Sequence, residues 1–202
     1  GDQHLQEAFE NSCNCAFAEL ALEIGPKKLA EYAQKLGLCS ENSLSGIWTQ
    51  AGSVGELKPD SIGLAWTGAG QHEAMVNPYA MLRLVSAIAN NGTLVRPGIK
   101  LAEEHGVKEK ELLSPQTAQK LKEMMAATVE NEYGSWRFPH LRVCAKTGTA
   151  ETGEGSSHSW FTGFADNPEH PLCFVVLVEH GGAGLGAAAE VTSIMLNAAA
   201  AN

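Results

Sequence analysis

Residues 143–153 read VCAKTGTAETG. An apolar run, Val143, Cys144 and Ala145, leads into Lys146, Thr147, Gly148 and Thr149 before a glycine-rich turn. A cation, a glycine and two hydroxyls therefore share the end of a strand-like segment. A lysine there can protect an exposed strand edge from unwanted pairing. The same group can also dock something anionic and extended, because a strand edge offers backbone hydrogen bonds to a peptide. A second polar cluster, Ser12-Cys13-Asn14, interrupts a helical stripe near the start of the chain. Alone it reads as a capping break between helices. Set beside Lys146-Thr147-Gly148, it no longer reads as capping alone.

Other candidate sites are weaker. Gly182-Ala183-Gly184-Leu185-Gly186-Ala187 fits the dinucleotide fingerprint formally, but the acid-bearing second strand about 20 residues on is not in the sequence. It reads as a loop turning a strand into a helix. His72-Glu73 starts like a zinc-protease helix, yet Val76 stands where the second histidine belongs. His158 reads as a surface or packing histidine. No metal site and no cofactor are expected.

The elements that must position these residues follow from periodicity. Apolar positions in 3–24 have helical spacing, and the break at 11–14 predicts one short helix ending near Glu10 and another starting near Asn14. Gly25-Pro26 closes the second and opens a third, which Gly37 ends. Residues 38–70 are rich in Gly, Ser, Pro and Asp and read as a long irregular connection. Asn77-Pro78 and Ser114-Pro115 open helices running to residues 90–92 and to about Val129. Three strand-like runs follow, at 141–150, 158–165 and 172–180, with turn signals between them that predict antiparallel hairpins. A helix over 187–200 closes the sequence. Helices first, then a small antiparallel sheet, then a helix make this an α+β chain rather than an alternating βαβ one.

Composition sets the outer bounds. The 202 residues suffice for one domain with a core, and 44% apolar with 18% charged is ordinary globular composition. A net charge of −9, from 14 basic and 23 acidic side chains, argues against nucleic acid as a partner. No apolar run reaches the roughly 18–20 residues of a membrane span. The five cysteines, an odd number with no CxxC pair, read as mostly buried small hydrophobes. The sequence opens Gly1-Asp2-Gln3 without Met and reads as an excised segment.

Together, S-x-N and K-T-G are two parts of a three-part serine acyl-enzyme signature whose remaining part is SxxK. The chain resembles the transpeptidase domain of penicillin-binding proteins, the class B type most. Residues 8–17 are similar to the family's S-x-N segment. Gly70-Gln71, Asn77-Pro78-Tyr79-Ala80-Met81, residues 89–92 and Pro97 resemble its middle block. Residues 146–150 match its third motif and 159–165 its next strand, all in the family's order.

The resemblance implies a serine attacking the carbonyl of a D-Ala-D-Ala stem peptide, with β-lactams acylating the same serine. It implies that Thr147 and Thr149 hydroxyls hold the terminal carboxylate, that Gly148 lets the substrate backbone approach, and that the Thr149 N–H is an oxyanion-hole donor. Lys146 would supply positive charge, Ser12 would relay protons, and Asn14 would bond the substrate amide. No serine in the sequence has a lysine three residues on: Ser12 is followed by Cys15, Ser53 by Glu56, Ser86 by Ala89. The nucleophile, its base lysine and the sheet's first two strands are therefore expected upstream. The 202 residues, read as a single domain, would be the C-terminal majority of an incomplete transpeptidase-like fold, inactive alone. The parent is expected outside the cytoplasmic membrane, tethered only by a missing N-terminal anchor. A non-catalytic stem-peptide or β-lactam binding module and a serine β-lactamase remain as alternatives.

Overall fold

In the computed structural model, residues 2–100 and 106–201 are described. Seven α-helices lie among them. The chain opens with α1 (Leu5–Glu10) and α2 (Asn14–Ile24), separated by the Ser/Cys break, where Ser12 takes a left-handed φ of 51°. Helix α3 (Pro26–Lys35) starts on Pro26 and is followed by Gly37 at φ 80°. The two-residue strands β1 (Ser43–Leu44) and β2 (Ile47–Trp48) form a tight hairpin.

Helix α4 (Ile62–Gly68) lies within the stretch expected to be irregular. The Ser61 hydroxyl caps it by accepting the Leu64 N–H at 3.0 Å. Gly68 explains its place: a Cβ there would lie 2.3 Å from the Ala21 Cβ and 2.7 Å from the Phe17 carbonyl oxygen. The helix thus rests backbone-close on α2. Packing, not propensity, makes it, so its two glycines hid it from a propensity reading.

Helix α5 (Pro78–Ala89) begins as its sequence predicts, with the Asn77 side chain accepting the Tyr79 N–H at 2.8 Å. Strands β3 (Thr93–Val95) and β4 (Lys108–Glu111) pair antiparallel, another feature the sequence reading missed. The alternating charges of β4 leave it exposed throughout, so it has no apolar alternation to detect. Helix α6 (Pro115–Thr128) is capped by the Ser114 hydroxyl, which accepts the Thr117 N–H at 3.1 Å. A π-helical turn over Val129–Tyr133 then delivers the chain towards the main sheet.

That sheet consists of β5 (Val143–Ala150), β6 (His158–Ala165) and β7 (Cys173–Val178), in the order β5-β6-β7 and antiparallel. The three runs read from the sequence are these strands. Helix α7 (Ala187–Ala200) covers one face. Phe161 stacks there between Phe138 and Phe174, with centroids 6.3 and 5.7 Å away. Ala188 and Ala189 let α7 come close enough to seal that core. On the other face, Cys144 and Phe164 pack under Ile88 of α5 and Met125 of α6. The architecture is the expected α+β segregation.

The cysteines differ from expectation. All five are free thiols, but Cys144 alone is buried; Cys15 is exposed and Cys13, Cys39 and Cys173 are intermediate. Two of them, Cys13 and Cys15, lie at the solvated start of α2, where no apolar layer covers them.

Candidate active site

The β5 segment that attracted notice in the sequence is an edge strand: β6 pairs one side, and its outer side meets no strand among the described residues. Val143 and Ala145 point into the α7 core, while Cys144 points the other way. By alternation Lys146 and Gly148 lie on the face towards α5 and α6. That face opens into a cavity of about 580 Å3. Phe9, Met81, Ile88 and Met125 form its apolar floor, and Lys146, Gly148 and Trp160 its rim. A second cleft, about 670 Å3, lies beside the β1–β2 hairpin with Arg83 and Arg96 and contains none of the β5 residues. The β5 cavity is the candidate because Lys146, Thr147, Gly148 and Thr149 line it.

Lys146 joins the two sequence clusters. Its ammonium donates to the Ser12 hydroxyl across a separation of 134 residues. It also lies 5.7 Å from the Phe9 ring centroid and 5.9 Å from that of Tyr133, so two aromatic faces flank the cation. The break between α1 and α2 is pinned here a second time, where the Asn131 amide donates to the Glu10 carboxylate at 2.9 Å. Two segments far apart in sequence therefore meet at one ammonium. Asn14 is exposed at the first position of α2, two residues past Ser12.

Sequence reasoning missed Tyr133. Its phenol oxygen is 3.2 Å from Lys146 Nζ, 2.9 Å from Thr147 Oγ1 and 3.1 Å from the Thr147 nitrogen. No motif flags it. The only local signal was the Tyr133-Gly134 step, whose glycine ends the π-helical turn at φ 86°.

Gln71 was noticed only as part of a block. Its side-chain amide donates to the Thr149 carbonyl at 2.7 Å and accepts the Glu151 N–H at 3.3 Å. One side-chain amide thus takes up a carbonyl and an N–H two residues apart on the strand's outer edge, in place of a neighbouring strand. Gly70 at φ 76° and His72 at φ 63° hold Gln71 at the tip of a tight turn. Tyr133 thus caps the outer edge of β5 at the Thr147 N–H, and Gln71 caps it from the Thr149 carbonyl onward. The N–H and C=O of one strand residue point the same way, so the Thr149 N–H also faces outward. It lies between the two caps and has no cap of its own among the described residues.

Thr149, Gly148 and the glycine-rich loop meet at this strand. The Thr149 hydroxyl accepts the Gly184 N–H at 3.0 Å. The glycine-rich loop is a buttress: a Cβ on Gly184 would lie 2.7 Å from Thr147 Cβ and 2.8 Å from the Gly148 oxygen. Ser159 anchors the same loop by donating to the Ala183 carbonyl at 2.8 Å. On Gly148 a Cβ would meet Trp160 Cβ at 3.2 Å. His158 packs its ring edge-on to His180, 5.0 Å between centroids, and accepts the His180 N–H, in line with its packing role. Cys13, at the N-cap of α2, has its thiol pKa lowered, chiefly by the hydrogen bond from the Ala16 backbone and then by Gln3. Burial pushes the Cys144 and Cys173 thiols up to about 11.

Comparison with known proteins supplies the context. The family described as the penicillin binding protein transpeptidase domain matches residues 1–197. The peptidoglycan D,D-transpeptidase PbpA of Mycobacterium tuberculosis is 31% identical over 197 residues, covering 91% of this chain and 40% of the relative. Stage V sporulation protein D of Bacillus subtilis is 28% identical, covering 89% of this chain and 31% of that protein. Among solved structures, the imipenem acyl-enzyme complex of penicillin-binding protein A from M. tuberculosis superposes with a TM-score of 0.86 at 30% identity, over 100% of this chain and 49% of that one. The chain spans less than half the length of these relatives.

Proposed function

The chain belongs to the penicillin-binding protein transpeptidase family, and from that premise we propose that it is the C-terminal part of a D,D-transpeptidase domain that cross-links peptidoglycan stem peptides. The observation that supports the reading is the Lys146 ammonium on Ser12, a direct contact between one residue of S-x-N and one of K-T-G.

The chemistry runs as follows. A stem peptide ending in D-Ala-D-Ala meets the outer edge of β5 at the Thr149 N–H, between the Tyr133 and Gln71 caps. The nucleophilic serine and its base lysine come from a segment outside these 202 residues, since no serine here has a lysine three positions on. The relatives' greater length supports that assignment. The serine attacks the penultimate D-Ala carbonyl, and the oxygen that becomes negative is held by the Thr149 N–H. Removing such a donor costs on the order of 10²–10³ in rate. Ser12 passes a proton to the departing D-Ala amine, with the Lys146 ammonium lowering the cost of charge at that relay. The Thr147 and Thr149 hydroxyls and the Lys146 charge hold the terminal carboxylate, and Asn14 takes the peptide amide. An amine of a neighbouring stem peptide then accepts the acyl group. β-Lactams present the same carbonyl and carboxylate and acylate the same serine. No helix among the described residues is long and apolar enough to cross a membrane. The site of action we assign to the outer face of the cytoplasmic membrane, where this substrate lies.

The test uses the full-length protein with a peptide ending in D-Ala-D-Ala and an amine acceptor. Release of D-Ala together with the cross-linked product is expected. Peptide binding without D-Ala release would instead make this a binding module.

A further inference from the structure

The hydrogen bonds of Tyr133 carry one step more. A phenol has a single proton to donate and two acceptor sites. Two of the three groups around its oxygen are donors only: the Lys146 ammonium at 3.2 Å and the Thr147 N–H at 3.1 Å. They occupy the acceptor sites. The phenol proton is left with one partner, Thr147 Oγ1 at 2.9 Å. The Thr147 hydroxyl therefore receives a hydrogen bond from Tyr133, and its own proton must point elsewhere. Tyr133 is buried, 6% exposed.

The scaffold around Tyr133 is fixed from several sides. Its ring lies 5.8 Å from that of Phe161. Its carbonyl accepts the Arg137 Nε–H at 2.9 Å. Asn131, in the same π-helical turn, is tied to Glu10 of α1. The phenol oxygen thus has little freedom to leave β5.

We propose that Tyr133 is a positioning residue that fixes the Thr147 hydroxyl as a hydrogen-bond donor to an anionic ligand group, the terminal carboxylate, on the outer edge of β5. The inference rests on the functional reading above and deepens it. Without Tyr133, the Thr147 hydroxyl can rotate and spend its proton within the protein. With Tyr133, the hydroxyl reaches the carboxylate already oriented. Ligands that bring a carboxylate gain from this arrangement; neutral ones do not.

The experiment compares Tyr133→Phe with the unaltered full-length protein, using a penicillin with its free carboxylate and the methyl ester of the same penicillin. Second-order acylation constants are measured for both. The expected result is a fall of about tenfold in the acid-over-ester preference, the worth of one oriented hydrogen bond. In a Thr147→Val background the same substitution should leave that preference unchanged, because both residues act through one hydroxyl. Equal losses for acid and ester would reduce Tyr133 to a packing residue and overturn the inference while the functional reading stands. A tenfold fall that persists in the Thr147→Val background would also overturn it. No acylation of the unaltered protein would overturn the functional reading and the inference with it.

Discussion

The two faces of β5 are built for opposite purposes. Towards α7 the strand is sealed: Val143 and Ala145 are 3% and 0% exposed, Phe161 lies among three aromatic rings, and Gly184 presses its backbone onto Thr147 and Gly148. Towards α5 and α6 the same strand starts sealed at Cys144 and then opens at Lys146 and Gly148 into the cavity. One face gives rigidity and the other gives access. A close-packed layer behind an edge strand holds its outward N–H and C=O groups in fixed positions, as the proposed oxyanion role of the Thr149 N–H requires.

Substitutions can separate the two roles. The largest effect is expected on the open face. Lys146→Ala in the full-length protein should lower penicillin acylation by about 10²-fold or more, with the melting temperature nearly unchanged, as stopped-flow and thermal melts would show. A large drop in melting temperature would make Lys146 a structural residue. On the sealed face, Phe161→Ala removes a ring that is 0% exposed. It should cost about 3–5 kcal/mol in urea unfolding. Gly184→Ala crosses the divide, because its Cβ would strike Thr147 and the Gly148 backbone. It should cost about 1–3 kcal/mol and also slow acylation, since the clash moves the docking edge itself. Ser114→Ala, at the start of α6, should cost about 1 kcal/mol through the lost α6 cap and leave acylation as it was.

The smallest effect concerns the thiols. The Cys13 thiol, its pKa lowered by the Ala16 backbone, should alkylate before Cys144 and Cys173, whose pKa values stand near 11. The thiolate is the reacting form, so at neutral pH Cys13 should be modified while those two, protonated and partly or wholly buried, stay slow. Mass mapping after timed iodoacetamide exposure reads the order directly.

Legibility in the sequence divides along a related line. The elements with local signals were readable: Asn77-Pro78 and Ser114-Pro115 announced α5 and α6, and alternation with turn residues announced β5, β6 and β7. Ser12, Lys146, Thr147 and Thr149 were readable because they sit in short motifs with chemical meaning. What stayed hidden is what only tertiary contact creates. Helix α4 exists because Gly68 lets it lie on α2. Strand β4 is polar throughout, held by pairing with β3 and by Arg83 on Glu109 at 2.8 Å. Tyr133 reaches Lys146 from a π-helical turn, and Gln71 reaches Thr149 across 78 residues. Neither spacing nor periodicity encodes such contacts.

The central claim is that these residues serve a serine they do not contain. The most direct test is intact mass and peptide mapping of the full-length protein after exposure to a penicillin. The account predicts one covalent adduct, on a serine outside these 202 residues and followed three positions on by a lysine. An adduct on Ser12 would contradict it, making the proposed relay the nucleophile itself.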